Sequence, residues 1–225
     1  GVRTTVAELG ATPLIGFAGA PFTVASYLIE GGPSRDLPRT KAMIIREPEL
    51  FSALLGRLAD LAAAFLRVQI LAGASAMQLF DSWVGALPAR LYREHVLPHS
   101  ERMFAQVADL GVPRVHFGVG ANHLAVDMAG AGCDVLGVDF RVDLDQVDPG
   151  IRDRMPLQGN LDPAVLLTDE ATIEAEVRRV LAAGRGLRGH VFNLGHGVLP
   201  DTPADNVTAS VRAVQEFGEP FQGGS

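Results

Sequence analysis

The sequence is poor in the features that mark several large classes of protein. A single cysteine, Cys133, stands among 225 residues. One thiol forms no internal disulfide and supplies no Cys-rich zinc site, and this usage fits a reducing cytoplasm. There is no surplus of basic residues: 19 Lys and Arg face 26 Asp and Glu, for a formal charge of −7. Nucleic acid is thereby disfavoured as a partner, because phosphate neutralisation needs the opposite balance. An anionic small molecule remains compatible, since a local arginine cluster can sit in an acidic protein. No uninterrupted apolar run is long enough for a membrane span. The most apolar stretch, around Leu61 to Phe80, is broken by Arg67, Gln69 and glycines. No basic-then-apolar leader opens the chain. The 14 prolines and 25 glycines are dispersed, so no linker or low-complexity tract divides it.

What is present is a 48% hydrophobic chain, long enough to bury one substantial core, and a single domain over 1–225 is expected. Short apolar runs alternate with longer helical segments, the pattern of βα units around a parallel sheet. Strands are read at Leu14–Phe17, Ala76–Phe80, Arg114–Phe117, Val135–Val138, Met155–Leu157 and His190–Asn193. Most are continuous apolar runs rather than alternating ones, as strands covered on both faces are. Glu49 to Ala72 reads as a helix with Leu50, Leu54, Leu58, Leu61 and Phe65 on one stripe. Further helices are expected over Pro88 to Leu110, over Asp169 to Ala183 with Thr168 as N-cap, and over Val207 to Phe217. Residues 1–10 read as the tail of a helix, with Val2, Val6 and Leu9 at helical spacing.

About six strands result, whereas a closed (β/α)₈ barrel needs eight and typically about 250 residues. The six units are already normally spaced, so two more do not fit. An open doubly wound sheet and a barrel lacking its first units both satisfy the pattern. The barrel is preferred: α/β, TIM-type, incomplete, short of about two N-terminal strand–helix units. The first residue, Gly1, is not methionine, which points the same way.

Ligands of parallel α/β folds sit beyond the carboxyl ends of the strands. The segments there are Phe17 to Thr23 leading to Ser26 to Gly32, then Phe80 to Gly85, Gln158 to Pro163, and Asn193 to Val198. Each pairs glycine, which lets backbone approach a ligand closely, with a polar side chain. His196, flanked by Gly195 and Gly197, stands where a ring nitrogen can meet a carboxylate or carry a proton. A buried structural histidine is the competing reading. Asp139 follows the fourth strand, with a structural hydrogen bond as its simpler role. His95 and His99 share an i, i+4 spacing, but no Glu follows His95 and Pro98 intervenes, so they read as structural or exposed rather than zinc ligands. His123 has a weak case. The Gly118–Gly120 stretch lacks the third glycine of a dinucleotide fingerprint and the acid that should follow. Cys133 reads as buried and unactivated.

Five segments, PLIGFAGAPFT, SYLIEGG, LFDSWVG, LQGNLDP and NLGHGVLPDT, resemble uroporphyrinogen decarboxylases in order and spacing, over about Pro13 to Phe217. Phe22 stands where that family commonly has Trp, and Asp81 and Val84 where Glu and Ala are frequent. The family's amino-terminal RQAGR-type motif and its ring-binding aspartate have no counterpart in the 225 residues. The chain is therefore expected to be a carboxy-terminal portion with little activity by itself.

The resemblance implies a distorted TIM barrel, usually a homodimer in the cytoplasm. It implies a reaction that removes four acetate carboxyls from uroporphyrinogen III to give coproporphyrinogen III on the route to haem, with no cofactor and no metal. It places Tyr27, Ser82 and His196 at substrate-binding positions, with Tyr27 and His196 also able to hold a transferable proton. Phe17 and Phe80 are expected as apolar pocket walls, with Gly195 and Asp139 beside them. Two rivals remain at this point. One is a cobalamin-dependent methyltransferase relative, which would need His and Cys ligands that a chain with one cysteine lacks. The other is a non-catalytic tetrapyrrole-binding fragment.

Overall fold

Prolines sit in the first turn of five of the ten described α-helices, where their fixed φ and missing N–H are tolerated. The computed structural model describes residues 1–218, which divide into two compact units meeting in sequence at Leu136 and Gly137. In the first unit, α1 (Val2–Leu9) leads to β1 (Ile15–Gly19), α2 (Pro21–Glu30), α3 (Pro38–Arg46) and α4 (Pro48–Leu71). Then come β2 (Ala76–Asp81), α5 (Ala89–His95), α6 (Leu97–Gln106), β3 (Arg114–Gly118) and α7 (Ala125–Gly130). The three-residue β4 (Val135–Gly137) spans the junction. The second unit holds α8 (Pro149–Arg152), β5 (Leu157–Leu161), α9 (Glu170–Ala183), β6 (His190–Leu194) and α10 (Ala204–Phe217).

All resolved pairings are parallel. In the first unit Gly19 lies opposite Phe80, and Phe80 opposite Phe117. In the second, Leu157 to Leu161 run alongside His190 to Leu194. The in-phase register brings the carboxyl ends of β1, β2 and β3 level. It also stacks Phe17, Phe80 and Phe117 along one face, with successive ring centroids 5.8 Å apart. The α/β class and the parallel strands match the expectation. Among the described residues there are six strands, two short of a closed barrel.

Several local readings need correction. The fifth strand is Leu157–Leu161, not Met155–Leu157. Gln158, Gly159 and Asn160 look like turn residues, yet all lie inside the strand and are buried. Asn160 makes this tolerable by donating its amide to Asp139 O (2.9 Å) and Val142 O (2.5 Å), since a buried amide needs partners. The leucine stripe of α4 is not its buried face. Phe51, Leu55, Ala59, Ala62, Ala63 and Leu66 are buried, whereas Leu50, Leu61 and Phe65 are more than half exposed. Small alanines let the helix approach the sheet closely, so the buried side is the less bulky one.

The cap of α9 is Asp169, which accepts from Thr172 N–H at 2.9 Å, while Thr168 turns its hydroxyl to Val165 O. The segment from Pro88 to Leu110 breaks at Val96, ahead of Pro98, into α5 and α6. At the outer edge of β1 the Gln69 side chain bonds both backbone groups of Phe17, at 3.0 and 2.8 Å, as a neighbouring strand would.

Candidate active site

The strand-end residues fall into two groups, one in each unit. In the first unit the turn after β2 carries Ser82, held between Asp81 and Trp83. Strand alternation turns the Asp81 side chain away from the Phe80–Phe117 face, and it is fully buried. Its Oδ1 accepts from the Thr23 hydroxyl at 2.8 Å. The same Thr23 oxygen accepts from the Trp83 backbone N–H at 3.2 Å. One turn further along α2, Tyr27 packs its ring edge-on against Trp83, with centroids 5.7 Å apart. Tyr27 is 44% exposed, and neither its hydroxyl nor that of Ser82 has a hydrogen-bond partner among the described residues. Both hydroxyls are therefore free to donate to a ligand.

The same turn is pressed against the segment after β3. A Cβ on Gly85 would lie 2.2 Å from Val119 O, so no larger residue fits without moving backbone. The His123 Nε2 donates to Leu87 O at 2.8 Å, which gives this histidine a structural role. Phe80 and Phe17 pack against one another below the turns, Phe17 being 59% exposed.

Beneath the turn lies a buried polar pair. Asp81 Oδ2 and His116 Nε2 are 4.0 Å apart, both fully buried and neither hydrogen-bonded. His116 Nδ1 donates to Met128 O at 3.3 Å. Nearby on α5, burial pushes the Tyr92 phenol well above its ordinary range, and the Asp81 charge adds to the effect. Cys133 is buried as expected, and burial pushes its thiol up to about 12, so it carries no thiolate at neutral pH.

The second unit carries Asp139, Gly195 and His196. Asp139 is 3% exposed; it accepts from Arg141 N–H at 3.3 Å and pairs with the Arg141 guanidinium. That guanidinium also lies over the Phe140 ring, 4.6 Å from its centroid. Gly195 backs onto the same turn: a Cβ there would meet Phe140 N at 2.4 Å. His196 is consequently thrown outward and exposed, with no hydrogen-bond partner among the described residues. At the start of β6, His190 donates to Gly159 O at 2.6 Å, and burial lowers its pKa. Among the described residues no three His, Cys, Asp or Glu side chains converge as metal ligands.

The sequence reading overlooked Thr23, Trp83, Arg141 and Asn160. Thr23 had a legible signal, because it lies four residues before Tyr27 and so on the same helical face.

Residues 1–217 match the pattern of the uroporphyrinogen decarboxylase (URO-D) family. The chain belongs to that family. Family members named uroporphyrinogen decarboxylase include one from Salinispora tropica, 58% identical over 216 residues, which cover 96% of this chain and 58% of that protein. Another from Rhodococcus erythropolis is 56% identical, covering 96% of this chain and 62% of that protein. A third, from Streptomyces coelicolor, is 58% identical, covering 92% and 58%. The chain thus spans about three fifths of the length of these relatives. A solved methyltransferase from Methanosarcina mazei shares the fold, with a TM-score of 0.82 over 96% of this chain and 62% of its own. At 22% identity that likeness concerns the fold alone. The α/β, TIM-type fold expected from the strand pattern agrees with both findings.

Proposed function

We propose that the whole protein removes the carboxyl groups of the four acetate side chains of uroporphyrinogen III, giving coproporphyrinogen III. The observation that carries this is family membership over residues 1–217. Tyr27, Ser82 and His196 are read as the substrate-binding residues by their likeness to the family's motifs. The free hydroxyls and the exposed imidazole supply donors of the kind a polycarboxylate needs.

Loss of CO₂ from a pyrrole acetate leaves an electron pair on the exocyclic carbon. That pair is stabilised only if the ring has first been protonated and can accept it. The electrons flow into the cationic ring as the C–C bond breaks, and the exocyclic carbon then takes a proton to become methyl. The protein must supply an acid, favour a cationic ring and hold several carboxylates. Tyr27 and Ser82 donate hydroxyl hydrogen bonds to substrate carboxylates. His196 presents a ring nitrogen to another carboxylate, and it and Tyr27 also hold transferable protons. Phe17 and Phe80 offer apolar walls to the macrocycle, and Asp139 and Gly195 shape the support beneath His196. The protonated pyrrole is itself the electron sink, so the reaction as written calls on no cofactor or metal.

We further read the whole protein as a cytoplasmic homodimer. Among the described residues no helix is long and apolar enough to cross a membrane.

Steady-state kinetics of His196→Asn and Ser82→Ala in the whole protein test the site. Each loses a ligand hydrogen bond outside the folded core, so kcat/KM should fall about tenfold or more at a near-native melting temperature. Wild-type kinetics in both variants would rule out their roles.

A further inference from the structure

We infer that Thr23 is a positioning residue for substrate binding, fixing the turn that carries Ser82 and the ring of Tyr27 through one shared hydroxyl. The inference rests on the reading of Ser82 and Tyr27 as substrate-binding residues.

Ser82 and Trp83 lie just past the end of β2 and have no strand ladder to hold them. The Thr23 hydroxyl replaces it. By donating to Asp81 Oδ1 at 2.8 Å and accepting from Trp83 N–H at 3.2 Å, it bonds the residues on both sides of Ser82. The two bonds use the hydroxyl in complementary roles, and each bond strengthens the other's polarity. Thr23 is 6% exposed and Asp81 0%, so water is a poor substitute for either partner. Asp81 Oδ2 lacks a hydrogen bond, which leaves the Thr23 contact as the one hydrogen bond to this buried carboxylate among the described residues.

The helix extends the effect. Thr23 and Tyr27 are four apart on α2 and share a face. The Tyr27 ring rests edge-on against the ring of Trp83, whose backbone the Thr23 hydroxyl holds. The two hydrogen bonds, to Asp81 Oδ1 and from Trp83 N–H, hold the hydroxyl in one direction. Valine has the same shape without the hydroxyl and isolates the effect.

The test uses Thr23→Val, Thr23→Ser and Ser82→Ala in the whole protein, with KM and kcat for uroporphyrinogen III measured separately. Trp83, the single tryptophan of these 225 residues, supplies a second readout, taken as the emission difference from Trp83→Phe. Loss of the bonds should raise KM about tenfold in Thr23→Val while kcat changes less than about threefold, and should shift Trp83 emission. Thr23→Ser should rescue KM to within about threefold of wild type.

If Thr23→Val leaves the Asp81 charge too exposed to its apolar surroundings to fold, Thr23→Val/Asp81→Asn removes that charge. It should still show the raised KM and shifted emission. Wild-type KM and emission in the folded valine variant, beside an impaired Ser82→Ala, would overturn the positioning role and leave the substrate-binding reading intact. Wild-type KM in Ser82→Ala would overturn both.

Discussion

Glycine 85 shows how tightly the Ser82 turn is built. Its missing side chain is the space in which Val119 O lies, 2.2 Å from where a Cβ would be. Backbone cannot swing aside as a flexible side chain can. Gly85→Ala should therefore destabilise the fold by on the order of 2–3 kcal/mol, read as a lower denaturation midpoint, whereas a change within 0.5 kcal/mol of zero, roughly the surface-substitution range, would contradict the packing. At this scale the turns after β1, β2 and β6 were legible as strand ends, because glycine beside a polar residue after an apolar run has few other uses, whereas Gln158 to Asn160 lie inside β5. Beyond the helical face that Thr23 shares with Tyr27, what Thr23 and Asn160 do was not legible. Their importance depends on partners 58 and 21 residues away, and no local pattern announces such partners. The partner of Asp139, Arg141, is only two residues along the chain, yet nothing local marks the pairing.

Among the elements, α4 is instructive because periodicity alone offers two faces. Leucines at Leu50, Leu54, Leu58 and Leu61 outweigh the alanines on any hydropathy count. Close approach to a sheet nevertheless favours the side with Ala59, Ala62 and Ala63. The misplaced β5 has a related cause: its polar residues are buried and satisfied by bonds that only the folded chain makes. Most other strands were legible within two residues, since continuous apolar runs bounded by turn residues leave little choice. The breaks around Val96 and the helices α2 and α3 went unread, being short and cued mainly by proline.

The interior of α4 also contains Gly56, where an added Cβ meets nothing closer than His99 Nδ1 at 3.9 Å. Gly56→Ala should raise stability by about 0.5–1 kcal/mol, since alanine loses less conformational entropy in a helix. A lower melting temperature for this variant would show that the helix packs more tightly at Gly56 than described.

For the whole molecule, the family was legible because five separated segments kept both order and spacing, and the match over residues 1–217 agrees. Composition alone could not have reached it; a charge of −7 and one cysteine argue against nucleic acid and a Cys-rich zinc site without selecting a reaction. The fold neighbour illustrates the same limit from the other side, since a methyltransferase shares the architecture at 22% identity. Chemistry is set by what the strand ends carry, and here that is two unengaged hydroxyls, an outward imidazole and a row of phenylalanines.

The most direct measurement is CO₂ released per uroporphyrinogen III consumed by the whole protein, with the products separated by their number of carboxylates. Four CO₂ per substrate and coproporphyrinogen III as the final product are expected. Tight binding with no CO₂ release, or methyl transfer in its place, would contradict the proposed decarboxylation.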